Sequence, residues 1–374
     1  MNRIELFPFD LHVATIDEKK NYFIERTINH PRLNQVYLDV MDKVNNSSKG
    51  KVYLVFGPTG VGKSTVCSKV RDNVENTNHN RSLIPVASLE LPSPDNGKFN
   101  WKDFYKRLLK EINEPLIDQK IIINNKEEKQ RPIPNYVPTT APELRQSLEN
   151  AIKYRKTKVI LLDEAQHLLK VASAKSIRDQ MDALKSIANL TGVVFFMFGT
   201  YELMDFFDLN GQLGRRTNEI HFSRYDMKRT KDKKEFKSVI NTFQCHLPFI
   251  EETNLVQYWE FLYERTIGCI GILKEWLNEC LKEALNKNQL TISYELLQKH
   301  APSPTKALRI AEETIDGEER LEKQEEDLQS LKIKLGFKQE DKKKHGEEGK
   351  KSKNKNPGKR AATRDDIGIK ESGA

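Results

Sequence analysis

Short apolar runs alternate along the chain with longer segments in which apolar residues recur at helical spacing. The runs are rich in β-branched and aromatic residues, which is typical of strands buried in a parallel sheet. They cover residues 52–56, 83–89, 159–162, 193–198 and, more briefly, 219–222. Strands separated by helical segments predict an α/β fold with a doubly wound, mostly parallel sheet. Pro85 lacks the backbone donor that a central strand needs, so the second run is expected at a sheet edge or to start late.

Helical periodicity fills the intervals between these runs. Valines at helical spacing predict a helix over residues 34–44, and the sequence after Thr65 continues as another helix. Residues 101–109 predict an amphipathic helix, and apolar residues within 177–190 share one helical face. Residues 113–142 are polar and contain prolines, which predicts an irregular excursion.

The pattern becomes purely helical from about residue 233 to residue 300, which predicts a small helical domain, the lid. Leucines recur at intervals of seven in the charged segment after it, but the positions between them are too polar for a coiled coil, so partial helix is expected. From residue 338 the composition cannot pack a core and predicts a disordered tail. The expected organisation is an N-terminal helical segment (1–50), an α/β core (51–225), the lid (226–300), a charged extension (301–337) and the tail (338–374).

Composition favours a cytoplasmic protein. The chain is 37% hydrophobic and 31% charged, and no apolar run approaches the roughly 18 residues that a membrane span requires. The N-terminus lacks the uninterrupted apolar region of a secretion signal. The four cysteines show neither CxxC pairs nor metal-like spacing, so reduced thiols are expected.

The net charge of +8 is unevenly distributed. Residues 338–360 contain ten Lys or Arg and four Asp or Glu, so they carry +6 and leave only +2 for all other residues. Total charge therefore indicates a basic tail more than a basic folded surface.

The first run ends in Gly57-Pro58-Thr59-Gly60-Val61-Gly62-Lys63-Ser64, which fits the P-loop pattern at every fixed position. The glycines let successive backbone N–H groups point at phosphate oxygens, and the helix that continues through Thr65 adds its positive N-terminus. Lys63 can reach the β- and γ-phosphates, and the Ser64 hydroxyl can bind Mg²⁺. An ordinary glycine turn between strand and helix is the alternative, but such a turn would not require the P-loop residue type at every one of these fixed positions. The segment predicts a nucleoside triphosphate site, with ATP and Mg²⁺ as the expected ligands.

Asp163 and Glu164 end the third run. At that place an acidic residue can hold Mg²⁺ through water, and a second can polarise the attacking water. A solvated strand end is the alternative for such a pair, but the P-loop upstream favours the catalytic interpretation. The pair opens the sequence DEAQH, which is similar to the DEAH signature of helicases, although no second helicase-like domain of comparable size follows. The order differs from the metal-binding HExxH, so His167 is expected on a helix surface.

Three further positions are candidates for the same site. Thr200 follows the fourth run, beside the P-loop strand in this topology, where it could position the hydrolytic water or be a turn threonine. Arg215 and Arg216 precede the last run and are either surface charges or fingers for a neighbouring subunit's γ-phosphate, worth about 10³–10⁵ in rate. Lys274, in a GILK segment that opens a predicted lid helix, could reach the phosphates from above.

Together, a P-loop, an Asp-Glu strand end, a polar strand tip, an arginine before the last strand and a helical lid resemble the AAA+ ATPases. Over roughly residues 20–300 the chain is similar to the TniB/TnsC group of transposition regulators. The stretches that carry this resemblance are His30-Pro31-Arg32, LKSIANLTG at 184–192, FGTYEL at 198–203 and GQLGRR at 211–216. Two features depart from the family pattern: Lys274 stands where many AAA+ relatives have arginine, and the basic tail is not a family constant.

The resemblance implies an ATPase that assembles with ATP on double-stranded DNA, as a ring or helical filament of identical subunits. It also implies that target-selector proteins recruit the assembly, that the assembly recruits and activates the transposase, and that hydrolysis disassembles it. In relatives the DNA-facing loops follow the second strand, which here corresponds to Lys98, Lys102 and Lys106. These lysines would contact phosphates rather than bases, and a solvated amphipathic helix is the alternative.

Two other functions stay open at this point. A replication initiator or clamp-loader-like AAA+ ATPase would be favoured by a winged-helix domain after the lid, for which residues 301–374 are short and polar. A nucleotide-gated signalling scaffold would bind ATP as a structural ligand and show no detectable turnover.

Overall fold

The structure is a computed structural model of the 374-residue chain and describes residues 11, 13–77, 80, 82–94, 99–119, 139–170, 174–208, 217–249 and 253–335. The chain divides into two compact units, Met1–Leu321 and Glu322–Ala374. The sheet and the lid both belong to the first unit.

A parallel sheet of five strands lies at the centre of the described part of the first unit. Its strands are β1 (Val52–Phe56), β2 (Val86–Glu90), β3 (Val159–Asp163), β4 (Val194–Gly199) and β5 (Thr217–His221). They lie in the order β2-β3-β4-β1-β5, and every neighbouring pair is parallel. The predicted α/β sheet is confirmed. Strand β2 is an edge strand and starts directly after Pro85, as the missing backbone donor of proline requires.

Helices cover both faces of this sheet. The helices that precede the lid are, in chain order, α1 (Ile16–Glu25), α2 (Pro31–Asn46), α3 (Lys63–Asn76), α4 (Trp101–Glu111), α5 (Ala141–Arg155), α6 (Ala174–Thr191) and the short α7 (Asp205–Asp208). Two 3₁₀ helices, Ala165–Leu169 and Tyr201–Met204, follow β3 and β4 directly. The sequence analysis did not predict α5, although Thr140 and Glu143 form a capping box at its start.

Burial on both faces explains why the strands read as unbroken apolar runs. Side chains alternate between the two faces along a strand. In β1, Leu54 and Phe56 pack into a cluster completed by α4, α5 and α6, whereas Tyr53 and Val55 pack into a second cluster with α2 and α3. The two cores fix which residue of each strand points to which face.

The lid follows β5 and consists of α8 (Thr230–His246), α9 (Trp259–Thr266), α10 (Ile270–Asn286) and α11 (Tyr294–His300). It has a buried cluster of its own, built largely from residues such as Phe236 of α8 and Leu273 of α10. Phe23 of α1 and Ile28 join this cluster, so the N-terminal segment packs against the lid.

A buried ion pair connects α2 to the lid. Arg32 Nη2 lies 2.5 Å from Asp232 Oδ2, and its guanidinium also stacks over the Tyr225 ring at 5.1 Å. Burial acts to raise the pKa of Asp232, but the hydrogen bonds from Arg32 and from the Asp226 N–H, together with the nearby arginine charges, outweigh it, and the pKa is lowered. Loss of either partner would leave a buried charge uncompensated.

The last helix, α12 (Pro304–Lys334), is continuous over 31 residues, where the sequence analysis expected only partial helix. Ala307, Ile310, Thr314 and Gly317 form a buried stripe along its first half, at the spacing of one helical face. Neither α12 nor any other described helix is both long and apolar enough to cross a membrane.

Candidate nucleotide-binding site

The carboxyl ends of β1, β3 and β4 lie side by side, because these strands are parallel neighbours. The Gly57 N–H donates to Gly199 O at 3.3 Å, which joins the start of the P-loop to the tip of β4. Asp163 ends β3 at the same edge, so Glu164 and Thr200 leave the sheet next to the P-loop. In parallel α/β sheets ligands bind at this edge. The structure therefore brings together the P-loop, the Asp-Glu pair and the threonine that the sequence singled out.

The P-loop connects β1 to α3 in a conformation that its glycines allow. Gly60 and Gly62 have φ values of 75° and 116°, in the left-handed region that strains other residues. Gly62 is the N-cap of α3, which therefore has no side-chain cap, and the first turn contains no acidic residue. The backbone N–H donors and the positive dipole at this end of the helix are therefore available to bind an anion.

Lys63 is only 7% exposed. Its Nζ donates to Gly57 O at 2.9 Å and to Pro58 O at 2.8 Å, both within the loop. Burial lowers the pKa of Lys63, while the carboxylates of Glu164 and Asp163 act in the opposite direction. A triphosphate would offer this ammonium charged oxygen acceptors in place of the two carbonyls. Hydrogen bonds to charged acceptors are stronger than those to neutral carbonyls.

The Asp-Glu pair is held by hydrogen bonds within the chain. Asp163 Oδ1 accepts from the Glu164 N–H at 2.9 Å. Glu164 has the left-handed backbone conformation, with φ 53° and ψ 37°, which is strained for a residue other than glycine. Gln166 Nε2 donates to Glu164 Oε2 at 2.6 Å. The sequence analysis passed over Gln166, because a glutamine within DEAQH carries no catalytic signal by itself.

Thr200 has an unsatisfied hydroxyl. Its N–H donates to Gln166 Oε1 at 3.3 Å, whereas the buried Oγ1 has no hydrogen-bond partner among the described residues. A buried polar atom without a partner is costly. An oxygen of the γ-phosphate or the attacking water would satisfy it, so the edge fits a nucleoside triphosphate.

The donor set also fits Mg²⁺. Ser64 provides a hydroxyl in the first turn of α3, and Asp163 provides a carboxylate at the end of β3. Mg²⁺ prefers such hard oxygen ligands and completes its shell with water and phosphate oxygens.

A small cavity of about 40 Å³ lies between the P-loop and the lid, with Gly62, Thr65 and Lys274 in its lining. It has room for about one water molecule. Lys274, predicted to reach the phosphates, instead donates from Nζ to Ile24 O at 2.7 Å, and burial lowers its pKa. The role predicted for Lys274 stays a prediction.

His30 lines the same cavity, although the sequence analysis used it only as a family marker. Its Nδ1 shares a hydrogen bond with the Tyr225 hydroxyl at 3.1 Å. Burial lowers the pKa of His30 to about 3, so the ring is neutral at physiological pH. The motif His30-Pro31-Arg32 therefore joins the nucleotide edge to the loop between β5 and the lid.

The first half of α12 crosses this edge of the sheet. Ile310 packs against the start of α10, and Gly317 lies against the ring of Tyr201, the residue after Thr200. Glu313 lies between these contacts on the helix, and the charges of Glu313 and Lys63 affect each other's pKa. The sequence analysis gave no reason to place this helix at the site, because nothing local to residues 304–321 refers to the P-loop.

Several predicted residues lie outside the described part of the chain. They are Lys98, Arg215, Arg216 and the tail, 338–374. The roles predicted for them stay predictions.

The other two predicted DNA-binding residues, Lys102 and Lys106, lie on α4. Lys102 is partly exposed. Lys106 forms an ion pair with Asp118, and this contact lowers the pKa of Asp118. Of the two, Lys102 is therefore the better placed for a phosphate.

Residues 46–207 match the family model of the AAA domain. This range contains the P-loop, the Asp-Glu pair and Thr200. No curated protein has a sequence that matches the chain.

Solved structures with a similar fold include the ORC2 protein of Aeropyrum pernix, in ADPNP–ADP complexes, at 12% identity and a TM-score of 0.51, over 75% of this chain and 70% of that one. Cdc6p of Pyrobaculum aerophilum has 13% identity and a TM-score of 0.48, over 75% and 70%. The Walker-type ATPase of Pyrococcus abyssi has 16% identity and a TM-score of 0.46, over 81% and 80%. At such identities the first likeness shows the fold alone, and the two lower ones add no argument. The parallel sheet with flanking helices is the AAA+ fold.

Replacing Thr200 by valine should leave the free energy of unfolding unchanged or raise it slightly, because the methyl group removes an unpaired buried hydroxyl. The same change should slow ATP hydrolysis by about 10²-fold, because a donor to the reacting groups is lost. Thermal unfolding and phosphate release at saturating MgATP measure the two effects.

Thr157 provides the matched control for Thr200→Val. It is 6% exposed, and its buried Oγ1 also has no partner among the described residues, but it lies before β3 at the opposite edge of the sheet. Thr157→Val should match Thr200→Val in stability and keep the wild-type rate. Equal rates for the two variants would exclude a role for the Thr200 hydroxyl.

Proposed function

We propose that this chain is a cytoplasmic AAA+ ATPase that assembles with ATP on double-stranded DNA and thereby regulates DNA transposition. In this proposal the assembled subunits link target-selector proteins to the transposase, and ATP hydrolysis disassembles them. The observation that carries the ATPase part is the convergence of Lys63, Glu164 and Thr200 at one edge of the sheet. The match of residues 46–207 to the AAA domain supports it.

The site residues divide the work of phosphoryl transfer among them. The P-loop backbone and Lys63 bind the β- and γ-phosphates, and Ser64 and Asp163 would hold Mg²⁺, which neutralises phosphate charge when it is bound. Glu164 polarises the attacking water, and Thr200 orients that water or the γ-phosphate. The water oxygen bonds to the γ-phosphorus as the bond to the bridging oxygen breaks, which gives ADP and phosphate.

In this proposal a neighbouring subunit completes the site. Arg215 or Arg216, which precede β5, would reach the γ-phosphate bound by the adjacent subunit and stabilise its developing charge. Lys274 would exchange the Ile24 carbonyl for a phosphate when nucleotide binds. Hydrolysis would then depend on assembly, because the arginine of one subunit acts only at the site of its neighbour.

The transposition part rests on the resemblance to the TniB/TnsC group. Two of its stretches lie at structural positions that bear on the site: His30-Pro31-Arg32 at the start of α2, and FGTYEL at the tip of β4. His30 of the first stretch lines the cavity beside the P-loop, and the second stretch contains Thr200. These contacts support the interpretation that the shared residues serve nucleotide-dependent assembly.

A replication initiator is the alternative within the same fold, favoured by the likeness to the ORC2 protein of Aeropyrum pernix. Among the described residues, the lid is followed by one continuous helix, Pro304–Lys334. A signalling scaffold, whose ATP would be structural, is the second alternative. The unpaired Thr200 hydroxyl and the placement of Glu164 favour turnover instead.

Lys63→Ala should abolish ATP binding and assembly, because the buried ammonium is the only lysine of the P-loop. Glu164→Gln should bind ATP normally, hydrolyse it about 10²–10⁴-fold more slowly and leave long-lived oligomers on DNA. Calorimetric titration, phosphate release and electron microscopy with duplex DNA measure binding, turnover and assembly. Wild-type turnover by Glu164→Gln would refute the assignment of the catalytic base.

DNA binding should require ATP, be indifferent to base sequence and weaken steeply with salt. Outside residues 338–360 the chain carries only +2, so a single subunit should hold DNA poorly. Assembly would align Lys98 and Lys102 of many subunits along the phosphates, and each neutralised phosphate adds about 0.9 to the slope of log affinity against log salt. Fluorescence anisotropy over a salt series, with and without ATP, measures this slope.

Deleting residues 338–374 separates the α4 region from the basic tail, since flexible lysines bind DNA without nucleotide. The truncated chain should keep ATP-dependent DNA binding, and Lys102→Ala in it should reduce the salt slope. If truncation abolishes DNA binding while ATP-dependent assembly survives, the tail is the DNA contact and the placement on α4 is wrong.

A further inference from the structure

We propose that Gln166 is a positioning residue that couples Glu164 to the tip of β4, so that Thr200 and the catalytic carboxylate move together. The proposal rests on the ATPase function proposed above and adds a residue to its machinery. Gln166 acts through Glu164 rather than on the nucleotide.

The side-chain amide of Gln166 bridges the two strand tips. It lies in the 3₁₀ helix after β3 and is 6% exposed. Its Nε2 donates to Glu164 Oε2 at 2.6 Å, and its Oε1 accepts from the Thr200 N–H at 3.3 Å. Because the amide is planar and rigid, a shift of the β4 tip on phosphate binding changes the hydrogen bond to Glu164.

Two neighbouring features fit this bridge. A Cβ at Gly199 would lie 2.5 Å from Gln166 Oε1, so the glycine before Thr200 leaves the space that the amide occupies. Glu164 has a strained left-handed backbone, which persists only where the surroundings hold it. The hydrogen bond from Gln166 is one of the contacts that hold its side chain.

A neutral amide can serve both ends of the bridge. It donates to a carboxylate and accepts from a backbone N–H with the two halves of one group. A carboxylate at position 166 would face Glu164 as a like charge, and a methionine would fill the space without either hydrogen bond. Gln166→Met is therefore the informative substitution.

The test compares Gln166→Met with Gln180→Met in the full chain. Gln180 is also 6% exposed, on α6, and its Oε1 has no partner among the described residues, so it controls for the loss of a buried glutamine. Each variant is assayed for affinity for the non-hydrolysable analogue AMP-PNP with Mg²⁺ and for kcat with duplex DNA. Gln166→Met should lower kcat about 10- to 100-fold and leave the affinity within twofold of wild type. Gln180→Met should change neither.

A double-mutant cycle distinguishes positioning from a general structural role. In the Glu164→Gln background, Gln166→Met should have no further effect on kcat, because the Glu164 carboxylate through which Gln166 acts is already absent. Independent, multiplying effects of the two substitutions, or a wild-type kcat for Gln166→Met, would overturn the proposal. Failure of the wild-type chain to hydrolyse ATP would instead refute the proposed function.

From a different set of contacts, we infer that the first half of α12 is an intramolecular inhibitor of nucleotide binding. Two of its contacts, Ile310 at the start of α10 and Gly317 at Tyr201, lie seven residues apart, or about 10 Å along the helix. At the first contact the Gly271 N–H of α10 donates to Gly60 O of the P-loop at 2.7 Å. The helix therefore spans from the P-loop side of the edge to the Thr200 side.

The docking of α12 is specific. Gly317 is a poor helix former in the interior of a helix, but a Cβ there would lie 2.2 Å from Tyr201 Cγ. One residue later, Glu318 accepts from Arg224 Nε at 3.1 Å and from Arg224 Nη2 at 2.9 Å. The close contact of Gly317 with Tyr201 and the bidentate ion pair between Glu318 and Arg224 hold the helix at the tip of β4.

The helix also places Glu313 between its contacts with α10 and Tyr201. Glu313 and Lys63 are within range of each other's charge, and burial raises the pKa of Glu313. Because α12 is docked across the edge of the sheet at which a nucleotide would bind, nucleotide binding should compete with the docked helix.

The test compares Gly317→Ala with Asp316→Ala, an exposed neighbour on the same helix. Both substitutions add alanine to α12, but only the first enters the space of Tyr201. AMP-PNP with Mg²⁺ is titrated calorimetrically, and limited proteolysis reports release of α12. Gly317→Ala should release the helix and bind AMP-PNP about fivefold or more tightly than Asp316→Ala.

Glu318→Ala is the second variant, in case Gly317→Ala does not fold. It removes the ion pair with Arg224 and should act in the same direction. A released helix with unchanged or weaker AMP-PNP affinity would overturn the inhibitory role. No AMP-PNP binding by any variant or by the wild-type chain would instead refute the nucleotide site.

Discussion

The pairing of β1 with β4 is the constraint on which the candidate site depends. Phe56 pairs with Gly199, so the P-loop and Thr200 leave the sheet at the same level. Phe195 and Phe196 of β4 are buried in opposite cores, and a slip by one residue would exchange them. The two apolar cores thus fix the register of β1 against β4. That register in turn fixes how the P-loop and Thr200 are placed at the carboxyl edge of the sheet.

That edge contains groups whose contacts within the chain do not stabilise the fold. Lys63 is buried with only loop carbonyls as acceptors, and the Thr200 hydroxyl has no partner among the described residues. Glu164 adds a strained backbone. Each feature costs folding free energy. A nucleoside triphosphate with its metal would compensate the first two, which is the physical link between the stability of this edge and its function.

Elements distant in the sequence meet at the same edge. The lid reaches the P-loop through the hydrogen bond between Gly271 and Gly60, and α12 reaches the tip of β4 through Tyr201. The buried pair of Arg32 and Asp232 ties the lid to α2. The N-terminal segment, the lid and α12 therefore share contacts at one site.

The sequence by itself determined the parallel α/β sheet, the P-loop and the Asp-Glu pair, because these depend on local patterns: apolar runs, glycines at fixed spacing and strand ends. Through Pro85 it also predicted that β2 lies at a sheet edge or starts late, and β2 does both. It could not place α12, whose contacts join residues more than a hundred positions apart, such as Gly317 and Tyr201. Nor could it assign Gln166, whose partners Glu164 and Thr200 meet only when β3 and β4 pair. Tertiary structure decided these contacts, because side-chain neighbours across strands follow from register and packing, which no local pattern encodes.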